Sequence, residues 1–504
     1  MRFLPLAAAL AALLAITAGL RTLESAPQGL SVTHASVGAT PATVFRPASA
    51  AAAPVVVVAH GFAGSQQLMQ PFAITLARNG YVAVTFDFPG HGRNPEPLRG
   101  GIADELAMSR ELQAALASMV AFARSLPGGD GRIALLGHSM ATDIVVRVAQ
   151  ADPGIAATVA VSLFSPAVTA TSPRNLLVID GALEPAMLTD EAARVVGLAA
   201  GGPAQPGTTY GQVADGTARR LALSPGVEHI GVLYSPASLH EALDWMNAVF
   251  TRQGDGFVDA RGRAVGLLFL GVILLAWPLS RLLPVLAAAP LGAGLGWRRL
   301  WPIAIAPALL TPLILWKLPT AFLPILLGDY LAAHLAVYGG LTLLGMTLAG
   351  VALPKLRDLG RGVAVAILAL AAWEIAALGL PIDRYLTSFV PSGGRARLLP
   401  AVLAGTLIWF TADEWLTRGA GAARGGYAAT KLLFALSLLG AVALNPPRLF
   451  FLVIIIPVIA VFLTIHGLFS TWAQRRTGNP LVAAVANAAA LAWAITATFP
   501  LLGD

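Results

Sequence analysis

The sequence contains no cysteine. That excludes disulfides, thiolate nucleophiles and cysteine-based zinc sites, but leaves the compartment open, since exported proteins also do without the residue. Charge is scarce as well: 12% of the 504 residues are charged, against about 25% in an average soluble domain. The scarcity is uneven. Residues 30–260 carry charges, turn signals and short apolar runs, whereas from about Ala264 onward long apolar stretches dominate. The net charge is +7. The basic residues punctuate apolar segments and do not gather with aromatics on one soluble face, so nucleic acid is not an expected partner. No internal repeat is evident in either half.

A soluble domain joined to a polytopic membrane domain accounts for this division. After Met1-Arg2, residues Phe3 to Leu20 are almost wholly apolar. The run is long for a cleaved signal peptide, and Ser25-Ala26 is the nearest small-residue site; an uncleaved anchor is favoured, with residues 1–24 forming it. Residues 28–254 form the soluble domain and 262–504 the membrane domain. Runs at 264–283, 301–318, 321–350, 362–380, 398–416, 428–444, 449–469 and 480–502 each approach or exceed the roughly 18 to 20 residues that cross a bilayer. With the soluble domain outside, Arg281, Arg298, Arg299, Lys355, Arg357, Arg361, Arg418, Arg424, Arg475 and Arg476 fall inside. Fewer cations, among them Arg384, Arg395, Arg397 and Arg448, fall on the other side. Arg2 ahead of the first apolar run gives the same orientation: a multi-pass protein of the cytoplasmic membrane, its soluble domain extracytoplasmic.

In the soluble half, apolar runs predict strands near 30–38, 41–46, 54–60, 81–88, 132–138, 158–165, 175–181 and 219–226. Helical patterns at 66–79, 101–125, 140–151, 189–199 and 236–250 alternate with them. The alanine-rich run from Ala48 to Ala53 reads as a loop. Two early strands followed by alternating strand and helix imply an α/β domain, a mostly parallel sheet covered on both faces. Sites in such sheets lie at the carboxyl ends of the strands.

One such end carries Gly137-His138-Ser139-Met140-Ala141, between the apolar run Arg132–Leu136 and a helical pattern from Asp143 to Ala149. A serine on a sharp strand-to-helix turn is held exposed above the sheet, ready to attack a carbonyl, and small flanking residues let the turn bend. The pattern G-x-S-x-G ends here in Ala141, the next smallest residue.

Four further segments agree in order with this turn: Val55 to Phe62 with its His60-Gly61, Asp87-Phe88-Pro89-Gly90-His91-Gly92-Arg93, Leu177 to Glu184, and Gly226-Val227-Glu228-His229. Together they resemble the α/β-hydrolase fold, the large family of serine esterases, lipases, thioesterases and related peptidases. The resemblance covers roughly residues 54–250. Asn94 stands where the family's D-x-P-G-H-G-x-S turn has serine. The resemblance implies a sheet of about eight strands, a Ser139–Glu184–His229 triad in the family's chain order, and an oxyanion hole from the backbone N–H groups of Phe62 and Met140. Neither cofactor nor metal is implied.

Among the eight histidines, only His229 and His240 follow the acid within the soluble half. His240 lies in a helical pattern, where a solvated or capping role suits it. Asp180 and Asp190 are rivals to Glu184; Asp180 reads as a structural carboxylate and Asp190 as a helix-start residue. Asp87 and Asp143 read as fold-stabilising. The stretch Pro185 to Thr217, rich in Gly, Ala and Pro, is expected to be a mobile flap over an otherwise open site.

In the membrane half, Glu374 is the leading interior ionisable group, followed by Asp329 with His334. Asp413 and Glu414 are placed near a cytoplasmic end, and His466 lies in a span. The resemblance, together with the apolar second half, implies a membrane-tethered serine hydrolase acting on a small-molecule or lipid-linked carboxylic ester or thioester. An acyltransferase using the same triad, its acceptor delivered through the membrane half, stays open. So does a transporter or sensor with an inactive hydrolase domain.

Overall fold

The computed structural model describes residues 3–48, 52–355 and 358–503. Arg2 and Arg357, used above for orientation, and half of the alanine-rich loop lie outside the described residues. The chain forms two compact units, each assembled from separated segments.

One unit comprises Thr17–Leu268 with Ile382–Ser388 and the segment from Pro500 to Gly503. Its nine-stranded sheet has strands β1 Leu30–Val37, β2 Thr40–Pro47, β3 Ala53–Ala59, β4 Val82–Phe86, β5 Gly129–His138, β6 Ile155–Val161, β7 Leu176–Gly181, β8 Thr209–Tyr210 and β9 Arg219–Ser224, in the order β1-β2-β4-β3-β5-β6-β7-β9-β8. From β4 to β9 every neighbouring pair is parallel; β1 and β2 at one edge and β8 at the other pair antiparallel. This is the mostly parallel sheet expected from the sequence, with one strand more.

The run Val55-Val56-Val57-Val58 explains why β3 lies in the middle. Every residue of β3 is buried, as a strand covered on both faces requires. Val56 and Val58 meet Phe72 and Leu76 of α2 (Gln70–Arg78) and Leu239, Leu243 and Met246 of α6 (Pro236–Phe250). Val55 and Val57 point the other way, onto Leu112, Leu116 and Met119 of α3 (Glu105–Ser125) and Val145 of α4 (Met140–Ala151). Further along that second face, Val195 and Val196 of α5 (Ala186–Ala200) pack on Leu176, Val178 and Leu221. α5 corrects the flap expected over Pro185 to Thr217. Its apolar stripe, Leu188, Ala192, Val195 and Val196, is buried, and the stretch ends in edge strand β8. Helical periodicity outweighed the Gly and Pro content, most of which lies from Gly201 onward.

The other unit contains α1 (Leu4–Ser25) through Ile16, then α7 (Gly262–Ser280) from Phe269, α8 (Trp297–Lys317), α9 (Gly328–Leu348) and α10 (Arg361–Ala372). α10 runs through a π-helical turn, Trp373–Leu378, into α11 (Gly379–Tyr385), whose residues from Ile382 on belong to the sheet unit. There follow α12 (Leu399–Thr417), α13 (Gly426–Leu444), α14 (Pro446–Leu449), α15 (Leu452–Thr477) and α16 (Leu481–Thr498). Among the described residues, nine helical stretches, α1 included, are long and apolar enough to cross a membrane. α9 and α12 approach backbone to backbone: a Cβ on Gly405 would stand 2.3 Å from the Ala332 carbonyl, so only glycine fits there.

Candidate active site

The sheet brings four loops together at the carboxyl ends of its strands. β3 leads into His60-Gly61-Phe62, β5 into Ser139, β7 into the turn Gly181 to Glu184, and β9 into the turn carrying His229. Ser139 adopts φ 54° and ψ −120°, a strained conformation for a residue with a side chain. Its N–H donates to the Val161 carbonyl at 2.9 Å, which fixes the turn against β6. A Cβ on Gly137 would meet the Ala141 carbonyl at 2.8 Å and Val145 Cγ1 at 2.9 Å. The sharp turn therefore needs glycine at its first position.

Ser139, His229 and Glu184 are brought into one line. Ser139 Oγ lies 2.9 Å from His229 Nε2, and His229 Nδ1 lies 2.9 Å from Glu184 Oε2. An ionised Glu184 only accepts hydrogen bonds, so Nδ1 carries the imidazole hydrogen and Nε2 accepts from the serine. The Glu184 side chain is fully buried and the His229 ring is 13% exposed. Glu184 is oriented by two further donors: Ser162 Oγ at 2.7 Å and the Gly181 N–H at 2.9 Å, both to Oε1. Ser162, at the end of β6 with φ 60°, carries no sequence signal of its own; only its place after a buried strand could have suggested it.

Met140 and Gly61, the residue before Phe62, both adjoin the serine. Met140 follows it directly, at the start of α4. Gly61 packs so closely that a Cβ there would be 3.0 Å from both Ser139 Cβ and His138 Nδ1. The Phe62 backbone thus begins beside the nucleophile.

The rivals fall elsewhere. His240 Nδ1 bonds the Pro236 carbonyl one helical turn back, at 2.8 Å. Asp190 is exposed on α5. Asp87 accepts from Gln66 N at 2.7 Å, Gln66 Nε2 at 3.0 Å and Arg93 N at 3.0 Å, which clamps two loops together. Asp143 pairs with Arg147 at 2.6 Å and accepts from Ser165 Oγ at 2.6 Å. Asn94 donates to the Asp87 carbonyl at 2.9 Å and accepts from Glu96 N at 3.0 Å, so it serves as a turn-forming residue. Asp180 is buried beneath the acid turn; burial first, then the neighbouring Glu184, push its pKa up to about 8. At neutral pH it is largely a neutral acid. Burial pushes the His60 and His138 imidazoles below their ordinary range, the latter with help from His229. Both are neutral structural groups. His60 Nε2 accepts the Phe88 N–H at 3.1 Å.

In the helical unit, Glu374 lies in the π-helical turn, 3.4 Å from His466. Asp329 faces Arg448 at 3.8 Å, and His334 Nε2 lies 3.1 Å from Ser437 Oγ. Asp413 and Glu414 are both buried: Asp413 is ion-paired with Lys431, and Glu414 takes hydrogen bonds from Ser470 at 2.6 Å and Tyr427 at 2.9 Å. No cluster of three or more metal-ligating side chains occurs among the described residues.

Residues 50–192 match the model of the family described as serine aminopeptidase, S33. None of the curated proteins compared with the chain matches it. Among solved structures, a Thermoplasma acidophilum protein described as a "predicted CIB-like hydrolase" is 14% identical, with a TM-score of 0.34, over 43% of this chain and 97% of its own. A hypothetical protein from Pseudomonas aeruginosa is 12% identical, with a TM-score of 0.31, over 41% of this chain and 89% of its own.

Proposed function

Because the chain carries an α/β-hydrolase domain over residues 50–192, we propose that it is a serine hydrolase cleaving a carboxylic ester or thioester through an acyl-enzyme on Ser139. The observation that carries the reading is the unbroken line of two 2.9 Å hydrogen bonds from Ser139 Oγ through His229 to buried Glu184. Ser139 Oγ attacks the substrate carbonyl while His229 Nε2 takes its proton. Glu184 holds the imidazole in the required tautomer and stabilises the imidazolium that forms. The N–H groups of Phe62 and Met140 receive the developing oxyanion; such a donor is worth about 3 to 4 kcal/mol in the transition state. Collapse expels the alcohol or thiol with the proton from His229. Water then repeats the sequence and releases the acid.

The apolar helices support a membrane location, and the bias of arginine and lysine supports a hydrolase domain outside the cytoplasmic membrane. A lipid-linked ester is then within reach of the site. The test is labelling of the detergent-solubilised protein by a fluorophosphonate probe. Labelling that vanishes in Ser139→Ala and His229→Ala is the expected result. A folded wild-type protein that does not label would overturn the reading. A panel of p-nitrophenyl esters, thioesters and aminoacyl anilides then separates ester from peptide cleavage.

A further inference from the structure

The turn that would supply the Phe62 N–H to the oxyanion is strained and short. Ala63 sits at φ 53°, and the Gly64 N–H closes onto the Gly61 carbonyl at 3.1 Å. A non-glycine residue in that region costs about 1 to 3 kcal/mol and persists only where its surroundings hold it. Two residues further on is Ser65, which is fully buried. Ser65 occupies the N-cap position of the short helix Gln66–Met69 yet makes no cap with its side chain, the usual role of serine there. Asp87 takes the Gln66 N–H in its place.

The Ser65 hydroxyl is engaged by the segment Ile382–Ser388, which belongs to the same compact unit although it lies far along the chain. Ser65 Oγ accepts the Ser388 N–H at 2.8 Å and lies 3.0 Å from Thr387 Oγ1. Gln67 is held at both ends of its amide: Nε2 donates to the Asp383 carbonyl at 3.3 Å, and Oε1 accepts from Ser388 Oγ at 3.1 Å. The Asp383 carboxylate takes the Arg93 guanidinium at 2.5 Å. Since Arg93 N and Gln66 N both donate to Asp87, these bonds close a circuit. It runs from Asp383 through Arg93, Asp87 and Gln66–Gln67 back to Asp383. The strained turn is anchored on this circuit at Ser65.

We propose that Ile382–Ser388 is a strap that sets the oxyanion turn, with Ser65, Gln67 and Asp383 as positioning residues for the reaction at Ser139. The inference rests on the hydrolase reading above. None of the three side chains is assigned a contact with the substrate. They act through the placement of the Phe62 N–H, whose geometry is needed in the transition state more than in the bound substrate. Loosening the strap therefore lowers kcat and leaves KM nearly unchanged.

The test uses the full-length protein in detergent, with Ser65→Ala, Asp383→Asn and the double variant. Asp383→Asn removes a partly exposed charge pair and leaves the backbone carbonyl that Gln67 uses, so it stays informative should Ser65→Ala fail to fold. Hydrolysis of p-nitrophenyl butyrate is measured beside deuterium exchange of the 60–65 amides. The expected result is a kcat lowered about tenfold in each variant, with KM within about twofold and faster exchange confined to the turn. Unchanged kcat and unchanged exchange in folded variants would overturn the strap while leaving the hydrolase reading intact. A wild-type protein that neither hydrolyses esters nor labels at Ser139 would overturn both, which tells the two failures apart.

Discussion

His138 Nε2 donates a 3.0 Å hydrogen bond to the main-chain carbonyl of His229, tying the residue before the serine to the residue that faces it. The rings lie 4.9 Å apart. Burial and the neighbouring His229 hold His138 neutral, so its single ring hydrogen is committed to this bond, and Nδ1 has no partner. Replacing His138 with phenylalanine keeps an aromatic ring, somewhat larger, and removes the tether. We expect kcat to fall about tenfold with little change in KM, because the loop carrying His229 loses its fixed height above Ser139. Steady-state kinetics on an activated ester checks this.

Glu184→Gln keeps an oxygen for Ser162 and Gly181 but presents an amide N–H to His229 Nδ1. The imidazole must then carry its hydrogen on Nε2 and can no longer accept from the serine. A loss on the order of 10⁴ in kcat is expected, with the melting temperature nearly unchanged. Ser162→Ala removes one hydrogen bond to a charged group, worth about 1.5 kcal/mol, and should cost about tenfold. Should Glu184→Gln stay within tenfold of wild type, Glu184 is not the orienting acid.

Asp180 links stability to pH. Unfolded, its carboxyl ionises near 3.8; folded, near about 8. Between those values the folded state holds a proton that the unfolded state has lost. Stability therefore falls as pH rises through the window, and the loss is complete above it. Asp180→Asn has nothing to titrate. Its melting temperature should fall less than that of wild type between about pH 5 and about pH 8. Parallel melting curves for the two proteins would refute the assignment.

In the helical unit, Lys431 reaches Asp413 and lies over the Tyr427 ring, 3.5 Å from its centroid. Lys431→Met alone leaves a buried carboxylate without its cation and should destabilise by about 3 to 5 kcal/mol. The double variant Asp413→Asn, Lys431→Met removes both charges and should regain most of that. Thermal unfolding in detergent compares the two; equal losses would mean the pair is not coupled.

Much of the sheet unit was legible because its signals are local. Four-valine runs, turn residues and the order of the serine, acid and histidine turns lie within short stretches of sequence. Strand β8 escaped notice because two residues, Thr209 and Tyr210, hold no period. The helical pattern in the sequence begins at 189, and the Gly and Pro beyond Gly201 mask the stripe of Leu188, Ala192 and Val195, so the stretch reads as a flap. The long-range partners were beyond local patterning. Nothing near Ser65 points to Ser388, and the segment containing Arg384 reads as a connection between spans. Asp413 and Glu414 read as a helix end because their partners Lys431 and Ser470 lie on other helices.

The C-terminal segment extends the same relation. Leu98 N donates to the Leu501 carbonyl at 2.8 Å, Leu501 N to the Gly90 carbonyl at 2.8 Å, and Gly503 N to the Leu98 carbonyl at 2.9 Å. A ribosome delivers residues 30–250 long before it delivers 382–388 and 500–503. The nascent sheet can form early, while the loops around Ser65, Gly90 and Leu98 must wait for partners still to be translated. Completion of the loops around the serine is thereby timed to the emergence of segments that follow most of the helical unit.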